Sequence, residues 1–318
     1  MPNIPDLPPH LLATPFTVAT ARAAGVPPEH LRTRLLQRPF YGVRSTGLDL
    51  TNLRDHCLAY SARMHPAGVI SHTTAARLWG MPLPLAIPDE LHVTVPVPHR
   101  APSGLEVVGH QQRLSPRERV HLDGLAVASP AATWAQLGEL LSVEDLLAVG
   151  EHMITGNPYE KRLALAEMAD LLESIAVRPR GPGHRIRVAA VSEMRSGPLS
   201  RPESFVRVLL VRCGIPNPLI NEDVCSVRGE FIAMPDLQWP EFRVALEYQG
   251  DHHREKKRFR ADIARLERLI DAGWIVVQVS ASELYGNPAI IVDRVARRLA
   301  SRGWVGRINL RRLTAFTP

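Results

Sequence analysis

The hydrophobic pattern of the first fifty residues predicts two short helices followed by a β ribbon. Residues 17–24 have a helical pattern, and Gly25 ends the predicted helix. A second predicted helix begins at the two prolines of residues 27–28 and runs through residue 36. Residues 39–44 then predict a tight β ribbon. This order of elements is typical of a winged helix-turn-helix.

A winged helix of this kind would place four arginines beside DNA. The second helix offers Arg32 and Arg34, and the ribbon offers Arg38 and Arg44. Most of these guanidinium groups are expected to contact phosphates, with one of them reading a base edge. The alternative interpretation is a small helical cap whose arginines are solvated.

The next hundred residues mix helical and strand patterns and show no catalytic cluster. The predicted elements are helices over residues 53–64, 71–79 and 130–149 and strands over residues 91–95 and 105–108. Six histidines are scattered among these elements: His56, His72, His92, His99, His110 and His121. Because each stands alone in its element, we interpret them as surface or packed residues and not as ligands.

The C-terminal third alternates helix and strand in the order α-β-β-α-β-α. Ser200 fits the N-cap of the first helix, and Glu203 completes a capping box. The remaining predicted elements are strands over residues 229–239 and 243–248, a long helix over 254–272, a strand over 274–279 and a helix over 288–299. A helical linker with a breaker-rich basic hinge at residues 178–185 precedes this region.

The chain therefore belongs to the α/β (α+β) class, in four predicted segments. These are a winged-helix region over residues 1–50, a mixed α/β region over 51–155, a helical linker over 156–197 and a restriction-endonuclease-like domain over 198–318.

Two carboxylates in the predicted hairpin of the last segment carry the candidate chemistry. A turn centred on Glu241 and Phe242 places Asp236 directly opposite Glu247. Opposed carboxylates repel each other and weaken a sheet, and a charge in an otherwise apolar strand is costly without a partner. A divalent cation would remove both penalties, and Mg²⁺ (or Mn²⁺) fits two carboxylates, a backbone carbonyl and several waters.

Basic residues follow the hairpin on the next predicted helix, among them Arg254 and Arg258. These basic side chains would lie beside the two carboxylates and hold a phosphate backbone against the metal. The alternative is that they form a solvent-exposed helix face with no binding role. Asp262 and Arg265 are three residues apart, so they share a helical face and are expected to pair. We interpret that pair as structural, with a role in the site as the alternative.

Composition agrees with a nucleic-acid partner. The formal net charge is +6 and the isoelectric point about 9.6, which favours polyanions. Three widely spaced cysteines make a disulfide framework or a zinc knuckle improbable. The N-terminus lacks a signal-peptide pattern and no apolar run approaches about 18 residues, so we expect a cytoplasmic protein without a membrane span. Arginine exceeds lysine, and alanine and proline are abundant, which favours a GC-rich bacterial source.

Two resemblances to known families follow from these motifs. Residues 235–253 (PDLQWPEFRVALEYQGDHH) and residues 262–266 (DIARL), with Gly273-Trp274, resemble the PD-(D/E)XK nuclease superfamily, in particular its Vsr-like branch of very-short-patch-repair endonucleases. The stretches RPFYGV at 38–43 and SHTTAARLWG at 71–80 resemble the AbiEi-type antitoxin and transcriptional-regulator family, whose members begin with a winged helix. The first resemblance covers about 100 residues, and the second covers residues 12–155.

The nuclease resemblance implies a role for each matching residue. Asp236 and Glu247 would be metal ligands, and Glu203 would orient a water or bind a second ion. Gln249 stands where many members of the superfamily have lysine, and it supplies no positive charge to the phosphate. His252 or His253 would substitute for it, as histidines do in the Vsr-like branch.

We therefore expect a metal-dependent DNA endonuclease with an N-terminal DNA-binding region, active on duplex DNA in repair or defence. Hydrolysis would use the metal to polarise the phosphate and to lower the pKa of the attacking water. A non-catalytic DNA-binding regulator or antitoxin with a decayed nuclease fold is the alternative, and RNA processing by the same residues is a third. The sequence leaves the oligomeric state open.

Overall fold

The chain divides into two compact units, each of which combines helices with sheets, as the α/β class requires. The computed structural model describes residues 7–250 and 265–318. Unit 1 extends as far as Gly80 and includes Pro88–Gln136, and unit 2 comprises Met81–Ile87 and Leu137–Pro318. The division after Gln136 does not coincide with the boundaries expected at residues 50, 155 and 197, because the predicted linker belongs to unit 2.

Unit 1 begins with short elements that pack around a small core of their own. They are the helices α1 (Pro9–Leu12) and α2 (Val18–Ala23) and the antiparallel strands β1 (Phe16–Thr17) and β2 (Val43–Arg44). Thr17 caps α2, since its hydroxyl accepts the Thr20 N–H at 2.9 Å, and Gly25 follows the helix with φ +82°.

The predicted second helix over residues 27–36 is wrong, because only a 3-10 turn forms there, over His30–Arg32. Two consecutive prolines leave the start of the segment with no backbone N–H groups to donate. Thr33 then adopts an extended conformation (φ −56°, ψ 149°), and its hydroxyl accepts the Leu35 N–H at 3.3 Å. A recognition helix is therefore missing from the described N-terminal segment, and β2 pairs with β1 instead of forming a ribbon by itself.

A six-stranded mixed sheet forms the centre of unit 1. Its strands are β3 (Val69–Ile70), β4 (Leu91–Pro96), β5 (Ser103–Gly104), β6 (Val107–Gln112), β7 (Arg119–Leu122) and β8 (Leu125–Ala128), in the order β5-β6-β4-β3-β8-β7. The helices are α3 (Leu53–Ser61), α4 (His72–Leu78) and α5 (Pro130–Leu137). Residues from α3, α4, α5 and the sheet form one apolar core, which explains the hydrophobic run of β4.

Unit 2 opens with helices that sequence patterns located only in part. They are α6 (Val143–Ile154), α7 (Met168–Val177), α8 (His184–Glu193) and α9 (Arg201–Arg212). The helix predicted over 130–149 is two helices, because Ser142 accepts the Asp145 N–H at 3.1 Å and starts α6 as a new helix. Within the helical linker predicted over residues 156–197, the first helix begins only at Met168.

Buried ion pairs join α6 to α9. The Arg207 guanidinium donates to the fully buried carboxylate of Glu151, which also accepts the Arg195 N–H at 2.7 Å. Arg201 donates to Asp145 through Nε at 3.1 Å and Nη2 at 2.5 Å. Such pairs require both partners, because a single charge left in the interior is strongly unfavourable.

The second half of unit 2 contains the predicted hairpin within a four-stranded sheet of order β14-β13-β12-β9. Its strands are β9 (Leu219–Ile220), β12 (Leu237–Trp239), β13 (Val244–Gln249) and β14 (Ile275–Ser280); β10 (Val224–Cys225) and β11 (Phe231–Ala233) form a separate ribbon. The helices are α10, described over residues 265–271, α11 (Ala281–Gly286) and α12 (Pro288–Ala300). β12 is antiparallel to β13, and β14 is parallel to β13.

Helices cover both faces of this sheet. Leu246 and Val277 belong to the main core with residues of α9 and α12, whereas Ala245 contacts Leu269 of α10 on the opposite face. The strand predicted over 229–239 is interrupted at residues 234–236, so Asp236 directly precedes β12. In the described residues, no helix has the length and apolar character needed to cross a membrane.

Candidate functional site

The register of the β12–β13 hairpin places Asp236 opposite Glu247, as predicted. Leu237 pairs with Leu246 and Trp239 with Val244, so the same register, continued one residue beyond β12, sets Asp236 opposite Glu247. The connection is a 3-10 turn over Pro240–Phe242, and both carboxylates project from the sheet face that α10 covers.

Asp236 is held by backbone groups on both sides. Its Oδ2 accepts the Tyr248 N–H at 2.6 Å, and its carbonyl oxygen accepts the Asn221 N–H at 3.1 Å. The short contact fixes the carboxylate at the point where the strand is interrupted. The side chain therefore takes the place of a ladder acceptor for the Tyr248 N–H.

Glu247 is buried and paired with an arginine of α10. Its Oε2 accepts from Arg265 Nη2 at 2.7 Å, and the Arg265 Nη1 reaches the Met234 carbonyl at 3.4 Å. The sequence predicted Arg265 as the partner of Asp262, which lies outside the described residues. The structure brings Arg265 to the candidate site, where its charge offsets that of Glu247.

Glu203 lies at the start of α9 with its carboxylate fixed by two donors. Oε2 accepts the Leu199 N–H at 2.9 Å and Asn221 Nδ2 at 2.8 Å. Ser200 accepts the Glu203 N–H at 3.4 Å, so the N-cap half of the predicted capping box forms. The Glu203 side chain bonds the N–H of Leu199 in place of the Ser200 N–H, one residue before the expected position.

Burial raises the pKa of Asp236 well above its ordinary value, and the negative charges of Glu203 and Glu247 raise it further. The Tyr248 N–H and the Arg265 guanidinium act in the opposite direction. The ionised form of Asp236 is therefore disfavoured in this site, first by burial and then by its two acidic neighbours. A divalent cation beside Asp236 would stabilise the ionised form.

We expect Asp236→Asn to raise the melting temperature of the metal-free protein at pH 7. The pKa of this carboxyl is higher in the folded state than in the unfolded state, where it is about 3.9. Such a group stabilises the fold at pH values below about 3.9, and the stabilisation is lost as the pH rises through the folded-state pKa. Each pKa unit of this increase lowers the free energy of unfolding at neutral pH by about 1.4 kcal/mol. For a domain the size of unit 2, that corresponds to roughly 3–6 °C in melting temperature. Asparagine keeps an acceptor for the Tyr248 N–H.

Thermal melts in EDTA measure this effect, with the exposed Asp223→Asn as the matched control. The difference between Asp236→Asn and the parent should shrink as the pH is lowered toward 4, because the parent carboxyl then becomes protonated. An Asp236→Asn variant that melts at or below the parental temperature at pH 7 would show that the carboxylate is already compensated.

The remaining predicted residues of the site divide into two groups. Gln249 is exposed at the end of β13, on the same sheet face as Glu247 because two residues separate them. Outside the described residues lie His252, His253, Arg254, Arg258 and Asp262.

The four arginines predicted to contact DNA have different surroundings in unit 1. Arg32, Arg34 and Arg38 are exposed, and Arg38 donates to the Arg32 carbonyl at 2.6 Å. Arg44 is partly buried and donates to the carbonyls of Leu31 and Val43, both at 2.8 Å. Arg44 therefore connects the 3-10 turn to β2, which is a structural role that the sequence did not indicate.

Sequence reasoning missed a cluster of three histidines in unit 1. His72, His92 and His110 each place a ring nitrogen within 4.8 Å of the others, and within the described ranges no other trio of histidine, cysteine or acidic side chains meets that distance. Glu203, Asp236 and Glu247 thus do not converge as a trio, although their charges interact. Two of the three are buried, as packed residues would be, but they lie in one cluster and not apart as their separate elements suggested.

Comparison with known proteins identifies two relatives for part of the chain. Uncharacterized protein MT2308 of Mycobacterium tuberculosis (strain CDC 1551 / Oshkosh) and Uncharacterized protein Rv2248 of Mycobacterium tuberculosis (strain ATCC 25618 / H37Rv) are each 28% identical to it over 101 residues. The similar stretch covers 31% of this chain and 37% of the length of each relative. No family model matches the chain.

Proposed function

We propose that unit 2 is a metal-dependent endonuclease that hydrolyses phosphodiester bonds in DNA. The observation that carries this proposal is the opposed pair Asp236 and Glu247 on the β12–β13 hairpin, with Glu203 close enough for its charge to raise the Asp236 pKa. An α9–β12–β13–α10–β14 order surrounds the pair. Buried acidic residues at the interrupted end of a strand destabilise the fold unless a cation neutralises them. Their retention is typical of a functional site.

The residues present fit Mg²⁺ or Mn²⁺. The candidate ligands are carboxylate oxygens, which hard divalent cations prefer. The pKa of Asp236 is raised first by burial and then by the charges of Glu203 and Glu247, and a bound cation would favour the ionised form. Asp236 and Glu247 would hold the ion, and it would polarise a phosphate oxygen and lower the pKa of a bound water.

The chain's own groups have distinct roles in this proposal. The Tyr248 N–H fixes one oxygen of Asp236, and Arg265 orients Glu247 by its 2.7 Å contact. Glu203, held by the Leu199 N–H and Asn221, would accept a proton from the attacking water. The exposed Gln249 marks the side on which the phosphate approaches.

A second candidate function is DNA binding without cleavage. Gln249 is neutral, whereas many nucleases of the PD-(D/E)XK superfamily, which this region resembles, have lysine there. Arg265 already forms an ion pair with Glu247. In this alternative the exposed Arg32, Arg34 and Arg38 contact phosphates and the acidic pair has only a structural role.

One assay distinguishes the two functions. The full chain is incubated with supercoiled plasmid, mismatched duplex, single-stranded DNA and RNA, with Mg²⁺, with Mn²⁺ and with EDTA. Metal-dependent cleavage of DNA supports the nuclease, and cleavage confined to RNA redirects the proposal to RNA processing. Retarded migration of DNA in a gel without any cleavage favours the binding function and contradicts the nuclease.

We expect Gln249→Lys to increase the cleavage rate by about tenfold, because a charged donor on the Glu247 face would stabilise charge developing on the phosphate. Gln249→Ala is the matched control and should cut at nearly the parental rate. Single-turnover rates on one duplex measure both variants. If Gln249→Lys is no faster than Gln249→Ala, the phosphate does not approach this face of β13.

A further inference from the structure

Three histidines meet at the centre of the unit 1 sheet. His92 lies in β4 and His110 in the neighbouring parallel strand β6, while His72 begins α4 directly after β3 on the other side of β4. His72 and His92 are buried and His110 is partly buried. The fold therefore brings together three imidazoles from three elements, inside the protein.

The rings lie close to one another. The centroids of His72 and His110 are 3.6 Å apart, and those of His92 and His110 are 5.1 Å apart. The Nδ1 atom of His92 lies 2.9 Å from Nε2 of His110. Three ring nitrogens within 4.8 Å of one another are close enough to share one ion.

Hydrogen bonds orient His72 and leave one of its nitrogens without a partner. Its Nδ1 lies 3.0 Å from the Ser71 hydroxyl, and its backbone N–H donates to Gln136 Oε1 at 3.1 Å. Its Nε2 is buried and makes no hydrogen bond in the described structure. A histidine that ligates a metal usually engages its second nitrogen in this way, and a buried orphan nitrogen is costly without a ligand.

The backbone at His72 is also unusual. Its φ of +49° lies in the left-handed region that non-glycine residues seldom occupy. Gln136, which accepts the His72 N–H, donates in turn to Gln112 Oε1 at 3.1 Å and so connects α5 to β6. The surrounding polar contacts thus hold His72 in a conformation that the chain would not adopt by itself.

The chemical state of the three rings suits ligation. Burial lowers the pKa of His72 to about 2 and, with the neighbouring His92, that of His110 to about 4. Burial and then the charge of Arg77 lower the pKa of His92. The neutral imidazole is the form that binds metal ions.

We propose that His72, His92 and His110 bind one transition-metal ion, with Zn²⁺ as the expected occupant. All three donors are imidazole nitrogens, which suit zinc, copper, nickel or iron and not the hard cations Mg²⁺ and Ca²⁺. The ion stabilises unit 1 by joining β4, β6 and the start of α4. This site is separate from the carboxylates of unit 2 and does not depend on the function proposed for them.

Metal content after purification tests this proposal directly. The full chain, without an affinity tag, is grown with added Zn²⁺, dialysed and analysed by inductively coupled plasma mass spectrometry. We expect about one zinc per chain in the parent and at least a tenfold lower content in His72→Ala or His110→Ala. The matched control is His65→Ala/His99→Ala, which removes an exposed histidine pair with ring centroids 4.0 Å apart and should retain the metal.

A second measurement applies even where a histidine variant does not fold. The parent is stripped with a chelator and melted before and after one equivalent of Zn²⁺ is returned; the site predicts a rise in melting temperature on return of the metal. Cobalt in place of zinc should give the visible absorption of a nitrogen-ligated ion. A parent that holds no transition metal and melts at the same temperature with and without zinc would overturn the proposal, as would full metal content in His110→Ala.

Discussion

Asp236→Asn and Glu247→Gln should each reduce the Mg²⁺-dependent cleavage rate by on the order of 10³-fold, because each removes one of two charged ligands of the ion. Both substitutions preserve size and hydrogen-bonding capacity, so Tyr248 and Arg265 keep an acceptor. The Asp236→Asn variant should therefore be inactive and yet, without metal, more stable than the parent. That combination distinguishes a functional carboxylate from one that holds the fold together.

Glu241→Gln is the matched control, since Glu241 is exposed in the turn at the other end of the same hairpin. Its single-turnover rate should equal that of the parent. Circular dichroism of all three variants confirms that they are folded before rates are compared. Parental cleavage by either Asp236→Asn or Glu247→Gln would remove the carboxylate pair from the mechanism.

Glu151→Met should lower the free energy of unfolding by about 3–5 kcal/mol, the second large effect expected here. Glu151 is fully buried, and its loss leaves the Arg207 guanidinium in the interior without its carboxylate. The double variant Glu151→Met/Arg207→Met removes both charges and should recover most of the lost stability, because packed apolar side chains often replace a buried pair without cost.

The exposed pair Asp293–Arg297 supplies the comparison for that experiment. Both side chains are more than half exposed, so Arg297→Ala should change stability by less than about 0.5 kcal/mol. Urea unfolding followed by circular dichroism measures all of these variants. If the double variant is as unstable as Glu151→Met alone, the lost stability comes from packing around Glu151 and not from the unpaired charge.

The hairpin was the most predictable part of this protein. The apolar strands on either side of Pro240–Phe242 determine their own register, because a slip by one residue would turn every buried side chain outward. The opposition of Asp236 and Glu247 followed from that register alone. The interruption at residues 234–236 was not visible in the pattern, since Asp236 takes the place of a ladder group only after the strands pair.

The histidine cluster could not be located in the same way. His92 lies in the buried run of β4, and a polar residue in an apolar strand was the signal used for Asp236 and overlooked here. The other two histidines of the cluster come from β6 and α4. β6 is parallel to β4 and is reached through a crossover connection, so no local sequence pattern specifies the register between the two strands. The contact of Arg265 with Glu247 was missed for a related reason, because it joins a helix to a strand.

The second predicted helix, over residues 27–36, illustrates the opposite error, in which a local pattern was interpreted too strongly. Pro27 and Pro28 favour the start of a helix, but a helix also needs N–H donors and α-region backbone beyond its first turn. Thr33 provides an extended conformation instead, and the chain forms a single 3-10 turn. Exposed arginines remain on this segment, without the helix that would carry them into a groove.

Calorimetric titration with Mg²⁺ tests most directly whether Asp236 and Glu247 together hold a divalent cation. Magnesium is the appropriate ion because histidine clusters bind it poorly, so the site proposed in unit 1 does not contribute. The full chain should bind Mg²⁺ at the carboxylate pair, and the Asp236→Asn/Glu247→Gln variant should show no such binding. Equal Mg²⁺ binding by parent and variant, or none by the parent with or without duplex DNA, would contradict a metal site at this hairpin.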